Sequence, residues 1–464
     1  MFTKKIVKKV FYLFSSCVLA AVLLLIAIYL INIHRINAEY DSRYSTESRV
    51  SLRKFPYPFR AAMAISSDID NTETLGEFLE IQKFLNTREI TSMGEGIGLE
   101  VGNSFLFHEP PTGAISYFSG DPKISQTIRN FVKAGYIDVM HSYGKKSNFT
   151  REDAVKALRE LKRNGCQISV WVDHEKSLSN LGDDVTFGLG DHPDSKAYHA
   201  DLTLNYGIRF VWLGRVTMIA GQATPVTLEG FANLFAKDHP IQSLINIWKE
   251  FAKNAMGVLG SKKYAMHRSN DLVRIAKLDD GTKMFEFTRF DNFWEGVATG
   301  ATNKRLAYVI SEKTLNRLKE TEGYTIVYTH LGKNSDCPKY ICEETQDALR
   351  NLAAEYRAGN IYVTTTSKLL NYYINQKYLD WSYESQGDQT QIRINSVKDP
   401  IFGTSTPTLK DLQGITFYVP DKEKACIFIN GKEIGGIQRN SADYIGRESV
   451  SIPLRSLEFP LGHS

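Results

Sequence analysis

The stretch Ala61–Asn71, AAMAISSDIDN, constrains this chain more than any other. A run of small and apolar residues that stops at two acids one residue apart predicts a buried strand delivering carboxylates to its C-terminal end. Asp68 and Asp70 are those carboxylates. Residues i and i+2 of an extended chain share a face, so both point to the same side. In barrels and other parallel sheets the loops at the strand C-termini line the open face, where the chemistry is done. The competing reading is structural: one of the acids caps the helix that follows.

Strand-like and helix-like segments alternate from there. Thr72–Asn86 has helical spacing at Leu75, Phe78, Leu79 and Leu85; a second strand falls within Ile97–Phe107, and a helix within Ile124–Lys133. Tyr136–Met140 ends in His141, and the next helix has Thr150 as cap, Asp153 behind it and Gly165 as stop. Gln167–Asp173 ends in His174, and Ile208–Trp212 is a further strand. Residues 215–305 break the rhythm and read as a long insertion, with a strand at Met284–Phe290. The alternation resumes with Thr325–Thr329 ending in His330, a helix Glu343–Arg357, a strand Ile361–Thr364 and a closing helix Lys368–Ile374. Six or seven βα units predict a parallel α/β architecture, most economically a barrel, over residues 60–376. Short strands and the Asn430-Gly431 hairpin signal predict a small β-sandwich over 377–464.

The N-terminus carries its own expectation. Val10–Ile33 has no charged residue and would reach roughly 36 Å as a helix, enough for a hydrocarbon core of about 30 Å. Residues 1–36 therefore read as a single-pass anchor in the inner membrane, and 37–59 as a linker. Lys4, Lys5, Lys8 and Lys9 place the N-terminus inside and the rest of the chain in the periplasm or on the outer face. With 56 basic against 52 acidic residues and no clustered basic face beyond the N-terminus, nucleic acid is not an expected partner. Five cysteines are too few for a disulfide scaffold; Cys337 and Cys342 either bridge a short loop or stay as thiols.

The chemistry-bearing residues sit at strand ends. Neutral imidazoles are good ligands for zinc or a similar ion. If consecutive strands are neighbours, Asp70, His141 and His174 form a three-ligand metal site with open positions. His192 and His199 are reserve ligands or substrate contacts. Asp68 would accept a proton from water, and His330, brought back beside the first strand, would protonate a leaving group. Each histidine taken alone is equally a polar residue at a strand end.

These motifs resemble the polysaccharide deacetylase (NodB-homology) superfamily of carbohydrate esterases. The resemblance covers roughly Ala61–Tyr373 and rests on SSDIDN, on HSYGK, on TIVYTH, and on NIYVTTTSKLLNYY at the end. It implies a distorted (β/α)7 barrel, Asp68 as base, Asp70 and His141 as metal ligands, and His330 as the late acid. Ile69 separates acids that the family keeps adjacent, Asn71 replaces a glycine, and Lys145 stands where a second histidine belongs, a gap His174 would fill. The Arg-containing motif of the family is not recognisable.

Three functions follow as expectations. The first is a membrane-anchored, metal-dependent hydrolase that removes an acyl group from an exported polysaccharide, with Tyr143, Trp171, Trp212 and Trp294 as sugar platforms or core. The second is a glycosidase pairing Asp68 or Asp70 with Glu100 or Glu175. The third is an inactive glycan-binding protein on the same scaffold.

Overall fold

The computed structural model describes residues 24–40, 48–69, 71–108, 115–118, 120–145, 148–174, 177–182, 184–295, 301–333 and 337–460. Among them, eleven strands form one sheet, numbered here within it: β1 Ala61–Asp68, β2 Gly102–His108, β3 Ile137–Lys145, β4 Val170–Val172, β5 Phe210–Trp212, β6 Val216–Thr217, β7 Val273–Lys277, β8 Lys283–Phe287, β9 Arg289–Phe290, β10 Tyr324–Thr329 and β11 Ile361–Thr364. Their order is 7-8-5-4-3-2-1-10-9-6, with β11 attached to β1. All pairings are parallel except β7 with β8.

Every residue of β1 is buried, as the uninterrupted AAMAISSD run requires of a strand covered on both faces. One edge of β1 pairs with β10 from Ala62 to Ser67. The other edge is divided: β11 takes Ala61–Ala64 and β2 takes Ser66–Asp68. This fork splays the sheet at its centre. Helices cover the outside, and their ends obey local rules: Thr74 caps Leu75–Asn86, and Thr150 with Asp153 forms a reciprocal capping box at Arg151–Arg163.

The expected distorted (β/α)7 barrel with a C-terminal β-sandwich is therefore corrected to a curled half-barrel sheet accompanied by smaller sheets. The two arms of the curl reach consecutive segments, β8 beside β5 and β9 beside β10, but the second contact is the single register pair Phe290↔Val327. The stretch read as an insertion supplies β6 to β9.

The C-terminal region forms three strands of a four-stranded antiparallel sheet, whose fourth is Ser51–Leu52, and a five-stranded mixed sheet. Ser51–Leu52, from before the main sheet, pairs with Phe417 and Tyr418 of the four-stranded one. Buried Arg53 ties the same junction to Asp443 at 3.0 Å. The core is continuous across this boundary: Val139, Val170 and Phe210 of the curled sheet belong to one apolar cluster with Ile392, Phe417 and Ile427.

The expected transmembrane anchor, and with it the inner-membrane location and a membrane partner through the N-terminal helix, is corrected as well. Among the described residues no helix is long and apolar enough to cross a membrane. The helix over 24–40 holds the last part of the apolar run and then Asn32, His34, Arg35, Asn37 and Glu39. Residues 1–23 lie outside the described residues.

Candidate functional site

The candidate centre lies where β1, β4 and β10 end, beside the middle of β3. Asp68, the last residue of β1, is 1% exposed, although a carboxylate so placed needs partners. The Tyr328 hydroxyl donates to its Oδ2 at 2.5 Å, His141 Nε2 lies 3.3 Å from the same oxygen and His330 Nε2 3.7 Å. Burial alone would raise the pKa of Asp68, but His141 and His330, the Tyr328 hydroxyl and the Arg289 charge outweigh it and hold the carboxyl below its ordinary value. Its second oxygen, Oδ1, is buried and has no hydrogen-bond partner.

His330 follows β10, and its Nδ1 lies 2.7 Å from the Ala301 carbonyl oxygen. A carbonyl only accepts, so Nδ1 carries a proton and Nε2 faces Tyr328 at 3.0 Å. His141, within β3, has its ring centroid 4.9 Å from that of His174, which follows β4, the two planes tilted by 49°. The Asn180 amide oxygen accepts the His174 backbone N–H at 2.9 Å, fixing that turn. Thus Asp68, His141, His174 and His330 are brought together, while Asp70 lies outside the described residues.

Two members of the site escaped the sequence reading. Tyr328 stands two residues before His330 and so shares its face of the strand, a signal present in TIVYTH. Arg289, in β9 between β10 and β6, is 3% exposed, with its guanidinium 4.3 Å from the Trp212 ring and 4.2 Å from the Tyr328 ring. Burial lowers its pKa, and Tyr328 and Asp68 act against that. A lone arginine inside the apolar alternation KMFEFTRF was the available sign.

The remaining candidates go elsewhere. His199 is fully buried between Thr203 Oγ1 and the Ser179 carbonyl, both at 2.8 Å, and burial pushes its pKa down to about 4. His192 pairs with Asp279 at 3.0 Å. Glu100 is bound to Lys368, Thr364 and the Leu457 N–H, and Glu175 is outside the described residues. Tyr143 and Trp171 are core; Trp294 stacks on His239 at 4.0 Å. Cys337 and Cys342 form a disulfide. It lines a cleft of about 960 Å³ together with Asn71, Thr302 and Gly332, which follow Asp68, Ala301 and His330 closely in the chain.

A resident metal requires donors that converge. His141 Nδ1 and Asp68 Oδ1 are buried donors of the right kind without partners. Yet among the described residues, ligand atoms of three such side chains gather within 4.8 Å of one another at Asp191, His192 and Asp279, and not at Asp68. The described donors do not complete a metal centre here, and no chemical step below is routed through an ion.

No family model matches the chain, and no curated protein matches it. Among solved structures, an endo-beta1,6-glucanase is similar at 10% identity and a TM-score of 0.32, over 88% of this chain and 92% of that one. A likeness at that level defines neither the fold nor the activity.

Proposed function

We propose that this protein is a carbohydrate-active hydrolase that removes an acyl group from a glycan, with Asp68 as base and His330 as acid. The observation carrying this reading is the Asp68 carboxylate: buried, kept ionised by His141, His330, the Tyr328 hydroxyl and Arg289, and left with one unpartnered oxygen at the C-terminal end of a parallel strand. An ionised carboxylate with a free oxygen takes a proton from water. The hydroxide oxygen so formed attacks the acyl carbonyl carbon, and the tetrahedral species collapses with cleavage of the bond to the sugar oxygen or nitrogen. His330, as the imidazolium, delivers its Nε2 proton to that departing atom while the Ala301 carbonyl holds the ring through Nδ1, and the proton taken up by Asp68 then returns to Nε2 to restore the pair. The products are a carboxylic acid and a free hydroxyl or amine.

The neighbouring cleft, with Glu73, Lys304, Lys333 and Tyr340 on its walls, suits a polar, hydrogen-bonding chain. Glycoside cleavage has less support, because Glu100 is committed to Lys368 and Thr364. Mass spectrometry of acetylated oligosaccharides after incubation separates the two: loss of acetyl groups from intact chains is expected, and shortened chains that keep their acetyl groups would overturn the proposal. Zinc dependence is a separate question, answered by the metal content of the purified protein and of its His174→Ala variant.

A further inference from the structure

The helix Pro240–Val258 is inside out. Its buried residues are Ser243, Asn246, Glu250, Asn254 and Gly257, with Val258 at the end. These polar groups are spent on the protein: Asn246 donates to the Trp294 carbonyl at 3.1 Å, Thr217 donates to Glu250 at 3.1 Å, and Asn254 donates to the His267 carbonyl at 2.6 Å. On the opposite side Ile241, Leu244, Ile245 and Trp248 recur at helical spacing, continued by Met256 and Leu259. Ile241 is 76% exposed, Leu244 61% and Trp248 68%. A surface helix of a globular protein normally turns such a stripe inward, and contiguous apolar surface of this extent marks an interaction site.

Charge selects the partner. Over residues 240–263 the exposed charged side chains are Lys249, Lys262 and Lys263, whereas the acid of this segment, Glu250, is buried and paired with Lys253 at 2.5 Å. An apolar stripe bearing a tryptophan and bordered by lysines fits a lipid surface with anionic headgroups, the helix lying in the plane of the interface. A protein groove would need to answer the same lysines with acids. We infer that the outward face of Pro240–Val258 docks on an anionic lipid surface, as a contact with that surface and not a crossing of it.

The test uses the full chain with phosphatidylcholine vesicles, with and without about one third phosphatidylglycerol, carrying brominated acyl chains that quench tryptophan at contact. Quenching is expected on the anionic vesicles, weakening as salt is raised. It should vanish in Trp248→Phe, and Leu244→Glu should weaken vesicle binding about tenfold or more, since both positions are exposed and leave the circular dichroism unchanged. Quenching unaltered in Trp248→Phe would place any lipid contact elsewhere and overturn the inference. So would absence of quenching, or a dimer in vesicle-free solution that Leu244→Glu dissociates, which would assign the face to a second copy.

Discussion

Replacing Asp68 by Asn keeps the shape of the side chain and removes one charge, and the structure says what that costs. The carboxylate stands between His141 and His330, accepts the Tyr328 hydroxyl, and adds to Tyr328 in opposing the effect of burial on Arg289. Removing one partner from a buried charge pair costs about 3–5 kcal/mol, because the other charge remains buried. The Asn oxygen still accepts from Tyr328, so the lower end, about 3 kcal/mol, is expected at pH 7. The pKa of Asp68 is depressed in the fold, so its contribution is fully present above the unfolded value near 3.9 and is lost only as pH falls through the lower folded value. Urea unfolding followed by circular dichroism should therefore show the same deficit at pH 7 and pH 5. An unchanged or raised midpoint in Asp68→Asn would refute the reasoning that Asp68 is an ionised counter-charge.

Tyr328→Phe removes the hydroxyl that donates to Asp68, so the acid limb of kcat/KM should move to higher pH and stability should fall by about 1.5–3 kcal/mol; a pH profile superimposable on that of the wild type would contradict this. Burial raises the Asp138 pKa to about 7 although Ser367 donates its N–H at 2.6 Å. The folded value exceeds the unfolded one, so the cost appears as pH rises from about 4 to about 7, up to about 4 kcal/mol. Asp138→Asn should be more stable than wild type at pH 8 and lose that advantage at pH 4, read from thermal midpoints. His199 behaves in the opposite sense: burial depresses its pKa to about 4, so stability held above pH 6.5 drains away toward pH 4, and His199→Gln should flatten that slope in urea titrations.

The sequence disclosed strand ends better than it disclosed closure. The fully buried β1, the Thr150–Asp153 box and the histidines after β4 and β10 are set by local pattern, and each lies where its pattern puts it. Val170–Val172, Phe210–Trp212 and Arg289–Phe290 are three residues or fewer, too short to carry a period. Met284–Phe290 read as one strand, whereas the structure breaks it at Thr288 into β8 and β9, which pair with different neighbours, and Arg289 was not read as a site residue. The forked edge of β1 is a tertiary event that no local pattern encodes. The N-terminal apolar run resembled an anchor because hydropathy reports only composition and length, whereas in the described helix over 24–40 the run gives way to Asn32, His34, Arg35, Asn37 and Glu39, and Tyr29 donates to Asn254 at 2.8 Å.

The most direct measurement is acetate release from acetylated oligosaccharides by the wild type and by Asp68→Asn, the variant being assayed at a temperature where it remains folded. The account predicts release by the wild type and a loss of about 10²–10⁴-fold in the variant, the range expected when a general base is removed. Release at the wild-type rate by Asp68→Asn would contradict it.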